Sequence, residues 1–263
     1  MTAGVVRLRW LGQSGFVLSA GADSVVIDPW FSDHELRLAA PPTIDDVPDG
    51  TAWLLATHGH VDHLDLPALP ALARRFPELA VVVPSPLVDR VSAVAPQLRV
   101  HGVQPGDTVS DEGVRIDVVP AWHGVTVADG YSPGPAGADT PHVGYVVRLG
   151  GAAVLHTGDT ISARALIDAI RPHRIDVALL PTNGRDAERE AAEILGNFDA
   201  TEAADFAAAI GARIVIPMHY EMVRGNTAPV GDLPNAVARI GLPITVVVPS
   251  RYESIDLSFG EPT

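Results

Sequence analysis

The stretch His58-Gly59-His60-Val61-Asp62-His63 places four potential metal ligands within six residues. His58 and His60 are two apart, so in extended backbone both imidazoles point to the same side and can chelate one ion. Asp62 and His63 fall in the turn that follows, where they can serve a second ion, and Gly59 leaves room for the backbone to approach. Gathering such groups without a cation costs desolvation and charge repulsion, which weighs against a merely solvated turn. Three more candidates stand just past apolar runs: His123 after Val114–Val119, Asp159 after Ala152–His156, and His219 after Ile214–Pro217. Segments that follow a rigid strand are where site residues are commonly presented. Alone, each reads as a hydrogen-bonded histidine or a turn aspartate; beside the six-residue cluster they read as ligands.

The chain has no cysteine, so any metal must be held by His, Asp or Glu. A divalent ion lowers the pKa of bound water until hydroxide exists near neutral pH, and ions ~3.5–4 Å apart can together polarise an electrophile and stabilise a leaving oxygen. Hydrolysis at a carbonyl carbon or a phosphorus is therefore expected, with no serine or cysteine nucleophile. Asp62 can ligate, accept a proton from the water, or both. Nitrogen and oxygen ligands leave zinc, manganese and iron open, as one ion or two.

These residues need rigid elements behind them. Val5–Trp10, Phe16–Ser19, Ser24–Asp28, Ala52–Ala56, Ala80–Val83, Val114–Val119, Val143–Leu149, Ala152–His156, Asp176–Leu180, Ile214–Pro217, Ile244–Val248 and Tyr252–Leu257 read as strands. Leu69, Leu72, Ala73 and Phe76 mark one helical face, with Asp65 as candidate N-cap and Pro70 as a complication. Further helices are expected from Ser85 to Val94, over Ala163–Ile170, after the Asp199/Glu202 capping box, and over Leu233–Ile240. Ser32–Gly50 and Val127–Pro141 interrupt the pattern as loops expected to border the site. Strands and helices alternate in two comparable halves, about 1–125 and 143–258, within one domain spanning 1–263. The expected fold is α/β, a four-layer αββα sandwich.

Composition narrows the partners. The formal net charge is −14, with no basic stripe, so nucleic acid is not expected. No run of 18 or more apolar residues exists, and the start MTAGVVRLRWLGQSGF does not read as a signal peptide. A cytoplasmic location and a small-molecule substrate are expected; homo-oligomerisation is left open.

The series H-x-H-x-D-H followed by a His, an Asp and a His at strand ends resembles the metallo-β-lactamase superfamily over nearly the whole chain. That resemblance implies that His58, His60 and His123 hold one ion, that Asp62, His63 and His219 hold a second, and that Asp159 bridges them. LGQSGFVL, IDPW, TGDT, PTNGRDAERE, GNFDATEAADFA and PMHY are similar to the L-ascorbate-6-phosphate lactonase-like branch. A cousin with similar ligand spacing is the N-acyl-phosphatidylethanolamine phospholipase D type. A lactone or ester hydrolase is thus the leading reading. A phosphodiesterase and a non-catalytic metal-binding regulator are the alternatives. Asp28, in IDPW, resembles the family's aspartate that orients a ligand histidine through its free ring N–H; a turn cap before Pro29 is the alternative. Asn183 and Arg185 are candidates for binding substrate oxygens, although Arg185 could equally pair with Asp186 or Glu188. His142 is a further candidate facing the site, and Arg37 a weaker one. His34, His101, His156 and His173 are read as structural.

Overall fold

Alternation along the first strand sends Val6, Leu8 and Trp10 inward, and each is at most 1% exposed. The computed structural model describes residues 4–134 and 139–259. β1 (Gly4–Gly12), β2 (Gly15–Ala20) and β3 (Asp23–Ile27) form an antiparallel meander. β4 (Trp53–Leu55), β5 (Ala80–Pro84) and β6 (Arg99–Val103) continue from β3 in parallel. The second sheet repeats this plan. β7 (Thr108–Ser110), β8 (Arg115–Pro120), β9 (Val143–Leu149) and β10 (Ala152–His156) are antiparallel. β11 (Val177–Pro181), β12 (Ile214–Met218) and β13 (Thr245–Val246) then run parallel to β10. The last strand, β14 (Ser254–Phe259), returns to the first sheet beside β1.

The inner faces of the two sheets share one core, in which Leu8, Phe16, Ile27 and Leu55 join Ile116, Tyr145, Val154 and Ile216. Helices α1 (Leu69–Arg75) and α2 (Val88–Val94) cover the outer face of the first sheet through Leu72, Phe76 and Val91. On the second sheet, α3 (Arg164–Ile170) lies outside, followed in the chain by the short α4 (Ala187–Ala191). α5 (Ala200–Ile210) and α6 (Asp232–Ile240) complete that outer layer through Phe206, Ile210 and Leu233. Removing a fully buried anchor such as Leu72 to Ala would cost about 2–5 kcal/mol. The result is the expected αββα sandwich.

Several details differ from the expectation. The chain changes sheet between β6 and β7 rather than near residue 125, and β14 belongs to the first sheet, so the halves divide elsewhere. β6 and β7 carry no signal in the sequence because they are short and half-exposed, with polar residues such as Arg99 and His101. Asp65 does not cap the helix with its side chain. Its carboxylate accepts instead from the Phe31 and Ser32 amides and the Ser32 hydroxyl, at 2.7–2.8 Å, and so pins the start of the 32–50 loop. Pro70 is tolerated because it falls in the first turn of α1, where its missing N–H would have no helical partner. Part of the expected loop Val127–Pro141, residues 135–138, lies outside the described residues.

Candidate metal centre

The parallel portions of both sheets end on the same side, and the polar residues follow the apolar strands there. His58 comes three residues after β4, His123 three after β8, Asp159 three after β10, and His219 directly after β12. The structure brings all seven expected ligands together. One group joins His58, His60 and His123; a second joins Asp62, His63 and His219; a third joins His58, His63 and Asp159. Within each group the candidate ligand atoms lie within 4.8 Å of one another. Asp159 is central: its Oδ1 is 2.7 Å from His219 Nε2 and 3.3 Å from His63 Nε2, and its Oδ2 is 3.9 Å from His123 Nε2.

The backbone is strained where it serves this centre. Gln13, Asp28 and His219 all adopt positive φ, at 51°, 45° and 62°. For non-glycine residues this costs on the order of 1–3 kcal/mol each, which the surrounding contacts must offset. They do so visibly. Asp28 is fully buried and accepts from the Thr57 amide (2.8 Å) and hydroxyl (2.7 Å), and its Oδ2 lies 2.6 Å from His63 Nδ1. That leaves His63 Nε2 facing the other ligands. Gln13 Nε2 donates to Asp62 Oδ2 (2.8 Å) and contacts His219 Nδ1 (3.1 Å), while the Gln13 carbonyl accepts from the His219 amide at 3.2 Å. Gly158 has φ 60°, and a Cβ there would stand 2.8 Å from the Thr57 Cβ, so only glycine lets the Asp159 turn close on the His58 segment.

The electrostatics divide by group. Burial pushes the His58 imidazole well below its usual range, and the neighbouring histidines add to this. Burial likewise takes His123 down to about 3. Burial acts the same way on His63, but Asp159, Asp62 and Asp28 outweigh it and push that ring up to about 10. Burial alone would raise Asp159, yet His219 and His63 hold it well below the ordinary carboxylate range. Both nitrogens of His123 are buried without a hydrogen bond, and among the described residues Asp159 Oδ1 has no neighbours in reach but the His219 and His63 rings. Orphaned lone pairs on imidazole, beside a protonated histidine held by carboxylates, fit the demands of bound divalent cations.

Asp62, Asp159, His60 and His219 form part of the wall of a cleft of about 440 Å3, a size suited to a small molecule. Trp30, Leu36, Val61, Ile194, Leu195 and Val223 supply its apolar surface. The 32–50 loop borders it through His34 and Leu36, so His34, read from the sequence as structural, lines the cleft. A second cavity, about 600 Å3, adjoins His123 and His142 on the side of the 124–134 segment. His142 Nε2 donates to the Ser132 carbonyl at 2.8 Å, and its ring centroid is 6.2 Å from that of His123.

The two expected substrate contacts are engaged elsewhere. Arg185 makes a bidentate pair with Glu202, at 2.6 and 2.7 Å, and donates to the Asn197 carbonyl. This ties it to the start of α5, and neither Asp186 nor Glu188 is its partner. Asn183 is 2% exposed and spends its amide on Asn226 and Asn197. Arg37 stacks on Trp30, 3.9 Å from the ring centroid, and donates to the Trp30 and Ser32 carbonyls. Sequence reasoning did not single out Gln13, whose only signal was its place in LGQSGFVL. It also passed over Thr57, which precedes the cluster, and Arg224 and Asn226 in the segment after PMHY.

A family model described as beta-lactamase superfamily domain matches residues 23–220. Among curated proteins, a UPF0173 metal-dependent hydrolase of Methanoregula boonei is 30% identical, covering 96% of this chain and 98% of its own. A protein of the same name from Methanoculleus marisnigri is 34% identical over 82% of this chain and 81% of its own. Among solved structures, Igni18, a metallo hydrolase of Ignicoccus hospitalis, superposes with a TM-score of 0.74 at 22% identity, covering 97% of this chain and all of that one. CmlA, a diiron beta-hydroxylase of Streptomyces venezuelae, has a TM-score of 0.67 at 16% identity, covering 97% of this chain but 54% of that one. At those identities the likeness is one of fold, and the second shows that the fold alone does not name a reaction.

Proposed function

The chain belongs to the beta-lactamase superfamily, and from that premise we propose that it is a hydrolase of small lactones or esters working at a centre of two divalent ions. His58, His60 and His123 would hold one ion, Asp62, His63 and His219 the other, and Asp159 would contact both. The observation that carries this reading is the convergence of seven imidazole and carboxylate side chains on one edge of a cleft, with both His123 nitrogens buried and unpartnered. Divalent ions bound there would supply Lewis acidity and a water acidic enough to ionise near neutral pH.

The chain's own residues do the rest. Asp28 holds the His63 ring with Nε2 toward the centre, and Thr57 holds Asp28. Gln13 fixes Asp62 and His219 relative to each other. Of the two cleft carboxylates among the candidate ligands, Asp62 is the more exposed, and it would accept the proton when water adds to the substrate carbonyl. The apolar wall of Ile194, Leu195 and Val61 excludes bulk water from the rest of the substrate. Zinc, manganese and iron all suit this donor set.

The test is a screen of lactones, carboxylic esters and phosphodiesters with chelator-stripped and metal-restored protein. Turnover of lactones or esters that disappears with the metal and returns with it supports the reading. Preferential cleavage of phosphodiesters, or no metal-dependent turnover of any class, overturns it.

A further inference from the structure

We propose that the cleft beside the centre selects substrates bearing an anionic group, a carboxylate or a phosphate, which Arg224 and Asn226 bind in the same cleft as the bond that is cut. This rests on the hydrolytic reading above and adds the substrate's charge. Arg224 lines the cleft and is exposed, and its guanidinium has neither an ion pair nor a hydrogen bond among the described residues. Its backbone is nevertheless fixed. The Arg224 amide donates to the Leu36 carbonyl at 2.8 Å, the Leu38 amide donates to Met222 at 2.9 Å, and Arg37 and Val223 form an antiparallel bridge between them. The cation is thus mounted on a clasp joining two loops of the cleft wall, with its head group free.

Asn226 is oriented in a complementary way. Its Oδ1 accepts from Asn183 Nδ2 at 2.7 Å and from Arg189 Nη1 at 3.2 Å. With the oxygen occupied twice, the amide presents N–H donors as its unused capacity. Arg189 cannot serve as the free cation, because Asp186 holds it at 2.7 Å. His34 accepts the Leu36 amide on Nδ1, so a neutral ring carries its proton on Nε2. Trp30 is 3% exposed, and its indole N–H has no partner. Beyond the candidate ligands, the polar groups lining the cleft therefore donate, Glu193 excepted. Glu193 forms no ion pair with Arg224 among the described residues. Donors without acceptors, one of them a guanidinium in a chain of net charge −14, match an oxyanion. Asn183 thereby acts as a positioning residue for Asn226 rather than as a direct contact.

Calorimetry on zinc-loaded protein tests this with acetate, glutarate and 3-phosphonopropionate. Acetate carries one anionic group, whereas the two longer anions carry a second that Arg224 would hold while the first sits at the metal side. We expect both, or one of them, to bind about tenfold tighter than acetate, the gain of one charge-assisted contact. Arg224→Gln should abolish that gain, Arg224→Lys should keep most of it, and Asn226→Ala should lose part, all at unchanged zinc content. The tighter of the two longer anions identifies carboxylate or phosphate as the preferred group. Longer anions binding no better than acetate to the unsubstituted protein, or a full gain retained in Arg224→Gln, would overturn the proposal. Because the readout is binding, loss of the hydrolytic reading is distinguishable: it would show as absent turnover with the Arg224-dependent gain intact. If zinc is not retained, the same anions on metal-free protein test Arg224 alone, with Arg224→Gln again expected to weaken them.

Discussion

On one side of Asp159, His58, His60 and His123 face one another, and burial holds His58 and His123 as neutral bases. His58 Nε2 and His60 Nδ1 are 2.9 Å apart, the His58 and His123 rings 5.0 Å apart, and neither His123 nitrogen has a partner. On the other side, Asp62, His63 and His219 sit in a charged, cross-braced network. Asp28 and Gln13 support it from left-handed backbone, and His63 carries a proton. The difference teaches that one fold can prepare ligands in two ways. Burial strips protons from His58 and His123 in the first group, leaving their lone pairs ready for a cation. Carboxylates load the second with a proton that stands where a cation would go. Metal entering the second group must displace that proton; metal entering the first need not displace one from His58 or His123.

The largest expected effect is one that erases the comparison. Asp159→Ala removes the carboxylate shared by both groups, so elemental analysis should find both equivalents of metal lost and turnover down about a thousandfold or more. Retained metal would make Asp159 a turn residue. Asp28→Asn should act on one side only. Metal at the Asp62–His63–His219 group should weaken about 10- to 100-fold, with the other equivalent unchanged, as equilibrium dialysis would show. Gln13→Ala should weaken the same equivalent by about tenfold, since Asp62 and His219 keep their positions in the chain but lose a shared donor. Arg185→Ala should be smallest: about 1 kcal/mol of stability in urea denaturation, with metal content and turnover intact, because its partly exposed pair with Glu202 braces the start of α5 and Arg185 does not line the cleft. A loss of turnover there would return Arg185 to the substrate site.

The convergence of the candidate ligands was legible because these titratable residues stand just past apolar strands; the extended backbone expected between His58 and His60 is instead a bend, which still brings both rings together. Asp28 was legible for the same reason, at the end of the third strand. Gln13 was not. It is a neutral side chain in a two-residue turn, and its role depends on a positive φ and on His219 being brought beside it from the far end of the sequence. The cleft wall was illegible for a related reason. Leu36 and Arg224 meet through an isolated clasp between two loops, where no periodicity announces a partner. Arg185 misled because its obvious acidic neighbours, Asp186 and Glu188, are not the ones it reaches. Glu202, also part of the α5 capping box, is geometrically better placed. The four layers could be read from strand and helix alternation. The sheet change at β6 and β7 could not, because those edges bury too little apolar surface to leave a pattern.

The contrast between the two groups is tested most directly by titrating metal-free protein with zinc at about pH 6 and about pH 8, recording heat and proton release together. His63 is raised from 6.5 to about 10, so at both values it is protonated without metal, and binding there must release a proton. His58 and His123 are lowered, so they have no proton to release in this range. The account predicts two binding steps. One should weaken about a hundredfold on going from the higher to the lower pH, at about one proton per metal, and should be selectively impaired in Asp28→Asn. The other should change far less. A single step, or two steps with the same pH dependence and the same response to Asp28→Asn, would contradict it.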